Sequence, residues 1–506
     1  MELQTTMRRI GLTQTIFDDF DERPVDCDFT LPDFLPDIAA VLKCTMKPVV
    51  QSHQISGDRV MVDGTVYLHV LYLDEDRRCV RSFENSQPFT SVFTVKDLSA
   101  GDRVTLSAKP NYVNCRATGP RRVDIHGAFS VKLVVTGRMD AEVVQTAEAK
   151  DLYTKGCQIA CTTDGGGTEK VFTINEVLEL DSEIPAEMIV RNEAHICISD
   201  CTQLPGKAII KGDLLLKTVF ITDMVAGTLC QAKYRIPFSQ ILDVEGLSEE
   251  MLCECSVEIV SCEVRLSQNP NGENRLLSIS VKSVLSLQCF AQEACELLTD
   301  AFHTVYPLAM TTQRVMPSRI TDLSRETVTI QQSLSLPDGG VADILDIWSD
   351  VVAVSCQNGA LEGQLLVHLI GRDANDKVAY YERPLDVSVP LSSACDQTKI
   401  CADALDTDYT LVGDRLEVRI QLLVCCRTSV TESHLAITAL QADESVPHAC
   451  SQGMENCQVK VCFANAGDSV WEIAKAEHAS PIALMKENKL NEEILSDRTM
   501  LLIPLC

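Results

Sequence analysis

The sequence predicts a mainly β protein: three diverged repeats of roughly 140 residues, each a β-sandwich or open barrel, followed by a small β-α-α-β module. Three observations predict it. Apolar and polar residues alternate with a period of two through much of the chain before residue 458. One pattern of glycine-centred strands occurs three times. Helical spacing is confined to residues beyond 469, apart from a stretch around 37–43.

The repeats align on MVDGTVYLHVLYLDED at 61–76, IIKGDLLLKTVFITDM at 209–224 and ALEGQLLVHLIGRDAN at 360–375. Their glycines, Gly64, Gly212 and Gly363, are 148 and 151 residues apart. Each is followed by a Pro and an apolar residue: Pro88-Phe89, Pro237-Phe238 and Pro384-Leu385. A second strand signal closes each repeat, at 122–135, 276–289 and 415–426. In the first of these Val123, Ile125, Phe129, Val131, Leu133 and Val135 share one face, and Asp124, His126, Ser130 and Lys132 the other, as in antiparallel sheet with one face in water. The mid-strand glycines imply a bulge or a close backbone approach, or simply a missing side chain where two sheets pack. The expected units are residues 1–160, 170–310 and 320–445, with 458–506 as the terminal module. CTTDGGGTEK at 161–170 reads as a flexible linker, TTQRVMPSRI at 311–320 as a weaker break, and ESVPHACSQGMEN at 444–456 as the last separator.

Composition narrows the function. The 506 residues are 45% hydrophobic and 23% charged, which is globular usage. Aromatics reach only 5%, so Val, Leu and Ile must build the cores. With 44 basic against 72 acidic side chains the net charge is −28, which repels nucleic acid and anionic lipid. Residues 1–150 hold 18 basic and 21 acidic residues, so the acidity belongs mainly to the middle of the chain. The N-terminal stretch lacks the apolar core of a secretory signal, and no run of 18 apolar residues occurs. A cytosolic protein with no transmembrane segment is the simplest expectation.

Twenty-three cysteines are read as reduced structural residues, because many lie in apolar runs such as LSLQCF and LLVCC. Zinc is the weaker alternative, since Cys157/Cys161, Cys197/Cys201, Cys253/Cys255 and Cys425/Cys426 include no C-x-x-C. No enzyme signature is present: no phosphate-binding G-x-x-x-x-G-K-[ST], no G-x-S-x-G and no H-E-x-x-H. His69, His126 and His368 fall on polar strand faces and read as solvated; Asp74, Glu75 and Asp76 read as a hairpin turn. No catalytic residue, metal site or cofactor is expected.

In the terminal module a strand at 459–464 runs into Gly467-Asp468. Ser469 is the expected N-cap of a first helix, with Glu472 completing a capping box and Val470, Ile473 and Ala474 buried. Ser480 and Pro481 open a second helix that should bury Ile482, Leu484 and Met485 and end near Asn488. A last strand covers Met500 to Ile503. That order, with Gly467-Asp468-Ser469-Val470-Trp471, Ile473-Ala474, Leu484, Asn488, Leu495 and Leu502-Ile503-Pro504, resembles a LysM domain. The resemblance implies binding of N-acetylglucosamine polymers such as peptidoglycan, in a groove lined by Gly467, Asp468, Ser469 and Val470 opposite Asn488, Lys489, Leu490 and Asn491, with Trp471 beside it. Cys462 and Ala464 stand where many LysM sequences have Tyr and Val.

β-repeats followed by one LysM-like module resemble the SPOCS-domain family of spore-forming clostridia, most closely its SipL type of spore-coat morphogenetic protein. The resemblance rests on the Pro-Asp segments LPDFLPDIAAVL and LPDGGVADILDI, the glycine-centred strands and the module. It implies a non-enzymatic adaptor in the mother-cell cytoplasm, at the forespore surface, that binds the coat's morphogenetic ATPase scaffold in part through the LysM. A wall- or cortex-associated, peptidoglycan-binding LysM protein is the alternative. The departures at Cys462 and Ala464 favour the first.

Overall fold

The computed structural model describes residues 3–99, 101–180, 182, 184–336, 341–392, 398–412, 415–445, 447–448 and 459–504. Most of the expected separator at 444–456 lies outside them.

In the first repeat the strands are β1 (Gln4–Thr30), β2 (Ile38–Ser56), β3 (Arg59–Asp74), β4 (Val80–Thr94), β5 (Arg103–Gly119) and β6 (Arg122–Glu148). They form two antiparallel three-stranded sheets, β2-β3-β4 and β1-β6-β5. The second repeat comprises β7 (Leu152–Glu179), β8 (Met188–Leu204), β9 (Lys207–Asp223), β10 (Thr228–Asp243), β11 (Leu252–Gln268) and β12 (Asn274–His303), in sheets β8-β9-β10 and β7-β12-β11. The third breaks its two longest strands. β13 (Leu308–Val315) and β14 (Ser318–Ser335) are separated at Met316-Pro317, and β19 (Arg415–Thr431) is followed by β20 (His434–Ala442). Between them run β15 (Asp343–Gln357), β16 (Ala360–Arg372), β17 (Val378–Pro390) and β18 (Thr398–Val412). The sheets are β15-β16-β17 and β14-β19-β18, with β13 paired to β20. All three units are sandwiches, and each encloses its own core. The expected inward residues of β6, Val123 to Val135, are all buried.

The shared glycines serve a close approach. A Cβ on Gly64 would lie 2.4 Å from the Val49 carbonyl and 2.3 Å from the Phe89 ring; on Gly212 it would lie 2.4 Å from the Cys197 carbonyl. On Gly363 it would meet the Ala353 carbonyl at 2.5 Å. In each repeat that carbonyl lies within one residue of a register shift of the adjacent strand, so a bulge accompanies the close approach.

Strands of the repeats run from 8 to 30 residues, and one sequence expectation fails here. The stretch 161–170 is not a linker but the middle of β7, where Gly165 and Gly166 span a register shift opposite Gln288–Phe290. The long strands continue past their sandwich as ribbons, and the three ribbons (β1/β6, β7/β12 and β13/β20) bury Ile10, Val143, Ile159, Leu297, Val315 and Ala436 together.

At the opposite pole the other three sheets meet around Leu71, Val80, Val219, Ile221, Trp348 and Ile370. Five residues beyond each glycine stand His69, Lys217 and His368. His69 and His368 are not solvated as expected: His69 is half-buried against the second repeat, and His368 is buried between Trp348 and Tyr380 of its own sheet. His69 Nε2 is 3.1 Å from the Val190 carbonyl of the second repeat. Lys217 Nζ donates to the Ile347 carbonyl of the third at 2.7 Å. Arg191 donates to both oxygens of Asp346 at 2.7 and 3.1 Å and lies 4.4 Å from the Trp348 ring centre. His368 stacks on Trp348 and bonds the Tyr380 hydroxyl, while Lys43 of the first repeat pairs with Glu382 of the third. His126 is exposed, as expected.

Candidate partner-binding site

The module is built as β21 (Val459–Ala464), α1 (Val470–Ala476), α2 (Pro481–Asn488) and β22 (Thr499–Pro504), with β21 antiparallel to β22. This is the expected β-α-α-β order. Its core holds Ala464, Val470, Ala474, Ala479, Leu484, Leu495, Leu501 and Ile503. Ser480 accepts from Ala483 N as N-cap of α2, and Pro481 takes the first helical position. Two local details differ. Ser469 precedes α1 in extended conformation but makes no side-chain cap; the Val470 N–H is held instead by the Glu493 carbonyl at 2.8 Å. Ile482 is 73% exposed rather than buried, because Leu484 and half-buried Met485 carry the inward face of α2.

The nine candidate residues fall on two loops that the structure joins. Gly467, at φ +92°, donates to the Leu495 carbonyl, and Leu495 N donates back to the Asp468 carbonyl. The Asp468 carboxylate accepts from Asn465 N at 2.8 Å, shaping the turn. Ser469 pairs with Ile494 in an isolated bridge. Val470 is core. Asn488 bridges α2 to β22: its amide nitrogen donates to the Leu484 and Leu502 carbonyls, and its oxygen accepts from Leu502 N. Lys489 closes α2 at φ +53°. Leu490 is half-buried against the core, so a charge there would disturb the module itself. Gly467, Lys489 and Asn491 are exposed.

Trp471 is turned to the rest of the chain. Its Nε1 donates to Asp300 Oδ2 at 2.8 Å, and its ring meets Phe302 edge-on at 5.0 Å. Lys475 Nζ reaches both Asp300 oxygens at 2.8 and 2.9 Å, and Phe302 stacks on Tyr153. Asp300 and Phe302 belong to β12 and Tyr153 to β7, so helix α1 docks on the tip of one ribbon. Burial pushes the Asp300 carboxyl up, but the hydrogen bonds from Lys475 and Trp471 outweigh it and hold it below the ordinary value.

Sequence reasoning missed the outer face of the module's sheet. Val461, Phe463 and Met500 are exposed there, Phe463 by 68%. The alternation Val459, Val461, Phe463 against Lys460, Cys462, Ala464 was a signal that could have found it.

Elsewhere the chemistry is sparse. Two open grooves of about 430 and 510 Å³ lie on sheet faces, and neither lining brings a nucleophile to a base. Asp26, Asp124 and His126 form a group of possible metal ligands, but both ring nitrogens of His126 lie 3.0 Å from carboxylates, and that contact raises its pKa, chiefly through Asp124. The nineteen described cysteines are free thiols. No helix among the described residues is long and apolar enough to cross a membrane.

The family model described as SipL, SPOCS domain, matches residues 37–118 and 185–267. Two SPOCS domains of the SipL type thus lie in the chain. The matches span β2–β5 and β8–β11, the same four strands of the first two repeats, and the third unit has the same strand order in β15–β18. No curated protein and no solved structure matches the chain. The SPOCS domain connects it with sporulation and the spore coat, and the SipL SPOCS family is not a known enzyme family.

Proposed function

We propose that this SPOCS protein is a non-enzymatic adaptor of coat assembly. It binds the coat's morphogenetic ATPase scaffold, in part through its LysM-like module, and helps hold the coat at the forespore surface from the mother-cell side. The observation that carries this reading is the pair of SipL-type matches on tandem repeats. The order of the terminal module supports it, as does its docking. Trp471 is committed to Asp300, while the Gly467–Lys489–Asn491 edge and the Phe463 face stay open to a partner. Such faces are recognised through a few apolar or aromatic anchors, each carrying about 2 kcal/mol or more.

Co-purification of the full chain with the scaffold tests it. Phe463→Asp, and separately Lys489→Glu with Asn491→Asp, should weaken capture at least tenfold without lowering the melting temperature. Capture unchanged by both variants and by removal of residues 459–504 would reject the module as a contact. Retention on insoluble peptidoglycan, lost on the same removal, would favour the wall-binding alternative.

A further inference from the structure

The third repeat carries three reactive side chains in one row across a sheet. On the central strand β19, Cys425 stands opposite Arg325 of β14 on one side and Cys401 of β18 on the other. All three face outward, since the adjacent Cys426 is buried in the core. Arg325 Nε donates to Cys425 Sγ at 3.4 Å. The guanidinium is fixed from the second repeat, where Nη2 donates to the Cys255 carbonyl and Nη1 to the Ile198 carbonyl. Cys401 is exposed, stands directly across the strand pair from Cys425, and its Sγ donates to the Cys425 carbonyl at 3.9 Å. The neighbouring Cys401 thiol first, and Arg325 after it, bring the Cys425 thiol down to about 6, against burial and the nearby Asp403. A neighbouring charge pair, Arg427 with Glu254 at 3.0 Å, largely cancels itself.

Other thiols also neighbour one another: Cys201–Cys255 at 3.3 Å, Cys253–Cys289 at 3.4 Å, and Cys44 with Cys115. Among the described residues none of these has a guanidinium hydrogen-bonded to sulfur.

We propose that Cys425 and Cys401 are an oxidant-reactive dithiol, with Cys425 the attacking thiolate, Arg325 its positioning cation and Cys401 the resolving thiol. The oxidant class is a hydroperoxide. The Cys425 thiolate attacks the distal peroxide oxygen, an S–O bond forms as the O–O bond breaks, and the alcohol or water leaves with one proton. Cys401 then attacks the sulfenic sulfur, an S–S bond forms and water departs. Two thiols and one hydroperoxide thus give a disulfide, one alcohol or water, and one water. The product is a cross-strand staple between β18 and β19 at the seam of two repeats. This assignment does not depend on the adaptor reading.

The test treats reduced full-length protein with one equivalent of hydrogen peroxide at pH 7, followed by an acid quench, alkylation and peptide mapping. The Cys401–Cys425 linkage should appear first, ahead of Cys201–Cys255 and Cys253–Cys289. In Cys401→Ser, dimedone should trap a sulfenic acid at Cys425, and Arg325→Gln should slow oxidation of Cys425 about tenfold. Oxidation spread evenly over the cysteines, no adduct at Cys425 in Cys401→Ser, or an unchanged rate in Arg325→Gln would overturn the assignment.

Discussion

Asp300 is the hinge on which the position of the terminal module can be tested. Replacing it with alanine removes two acceptor contacts at once. The Trp471 N–H to carboxylate bond is charge-assisted and partly shielded, so its loss costs about 2 kcal/mol. The Lys475 pair is about one-third exposed on the lysine side, which reduces it to roughly 0.5–1 kcal/mol. The docked-to-undocked ratio should therefore fall by about 2–3 kcal/mol, or roughly 30–150-fold. Asp300→Asn keeps an acceptor for Trp471 but loses the charge, and should cost about half as much. Because the Asp300 pKa is depressed in the docked state, its contribution is complete above the free-carboxyl pKa of about 4 and is lost as pH falls through the lower docked value. The chain has only two tryptophans, and Trp348 is buried at the other pole. Fluorine NMR of 5-fluorotryptophan-labelled protein thus carries its own reference. The Trp471 resonance should move in Asp300→Ala while the Trp348 resonance stays in place. Two unmoved resonances, with helix α1 equally protected from hydrogen exchange, would refute the docking energetics.

Three further outcomes follow from the cores. Gly212→Ala should lower stability by about 2 kcal/mol or more, since its Cβ would meet a backbone carbonyl at 2.4 Å, whereas Gly119→Ala, with nothing within 4 Å, should be silent in the same thermal melts. Asp346→Ala should cost about 3 kcal/mol by leaving Lys217 buried without an anion and Arg191 with Glu193 as its remaining carboxylate, and chemical denaturation would measure it. Burial lowers His69 to about 4, so the unfolded chain takes up its proton first as pH drops from about 6.5. Stability should fall by about 2 kcal/mol between pH 7 and pH 5, and denaturation of His69→Gln should show a flatter dependence.

Period-two alternation made the sandwiches legible, because one buried face leaves an unmistakable record in residues such as Val123 to Val135. The glycine positions were legible as a close approach, though not the carbonyl each one meets. Alternation distinguishes a polar face from an apolar one, but it does not tell whether another repeat covers the polar face. That is why His69 read as solvated; His368 did so because the rings that cover it, Trp348 and Tyr380, stand on the two neighbouring strands of its own sheet. Gly165-Gly166-Gly167 read as a linker because glycine permits both a hinge and a register shift, and only the pairing with β12 decides between them. In the module, motif position located the two loops but not the duties of their residues. Val470 and Asn488 hold the fold together, and Trp471 spends its N–H on Asp300. Asp300 lies 171 positions away in the chain, beyond the reach of any local pattern.

The three repeats close a ring, and the ring constrains where a partner can bind. His69 joins the first repeat to the second, Lys217 and Arg191 join the second to the third, and Glu382 returns to Lys43 of the first. At the position equivalent by repeat, the first and third units carry histidine and the second carries Lys217, so the lysine distinguishes the join of the second repeat to the third from the other two. Both poles are consumed by these contacts, so neither the His368 cluster nor the packed interior of the ribbons offers a free surface. What stays open is the part of each sandwich's outer face away from these joins, and the module docked at the tip of β7/β12. A partner captured by the module is therefore held at the ribbon end of the molecule, away from the charged ring. The acidic sandwich flanks remain available there to a second, more basic contact.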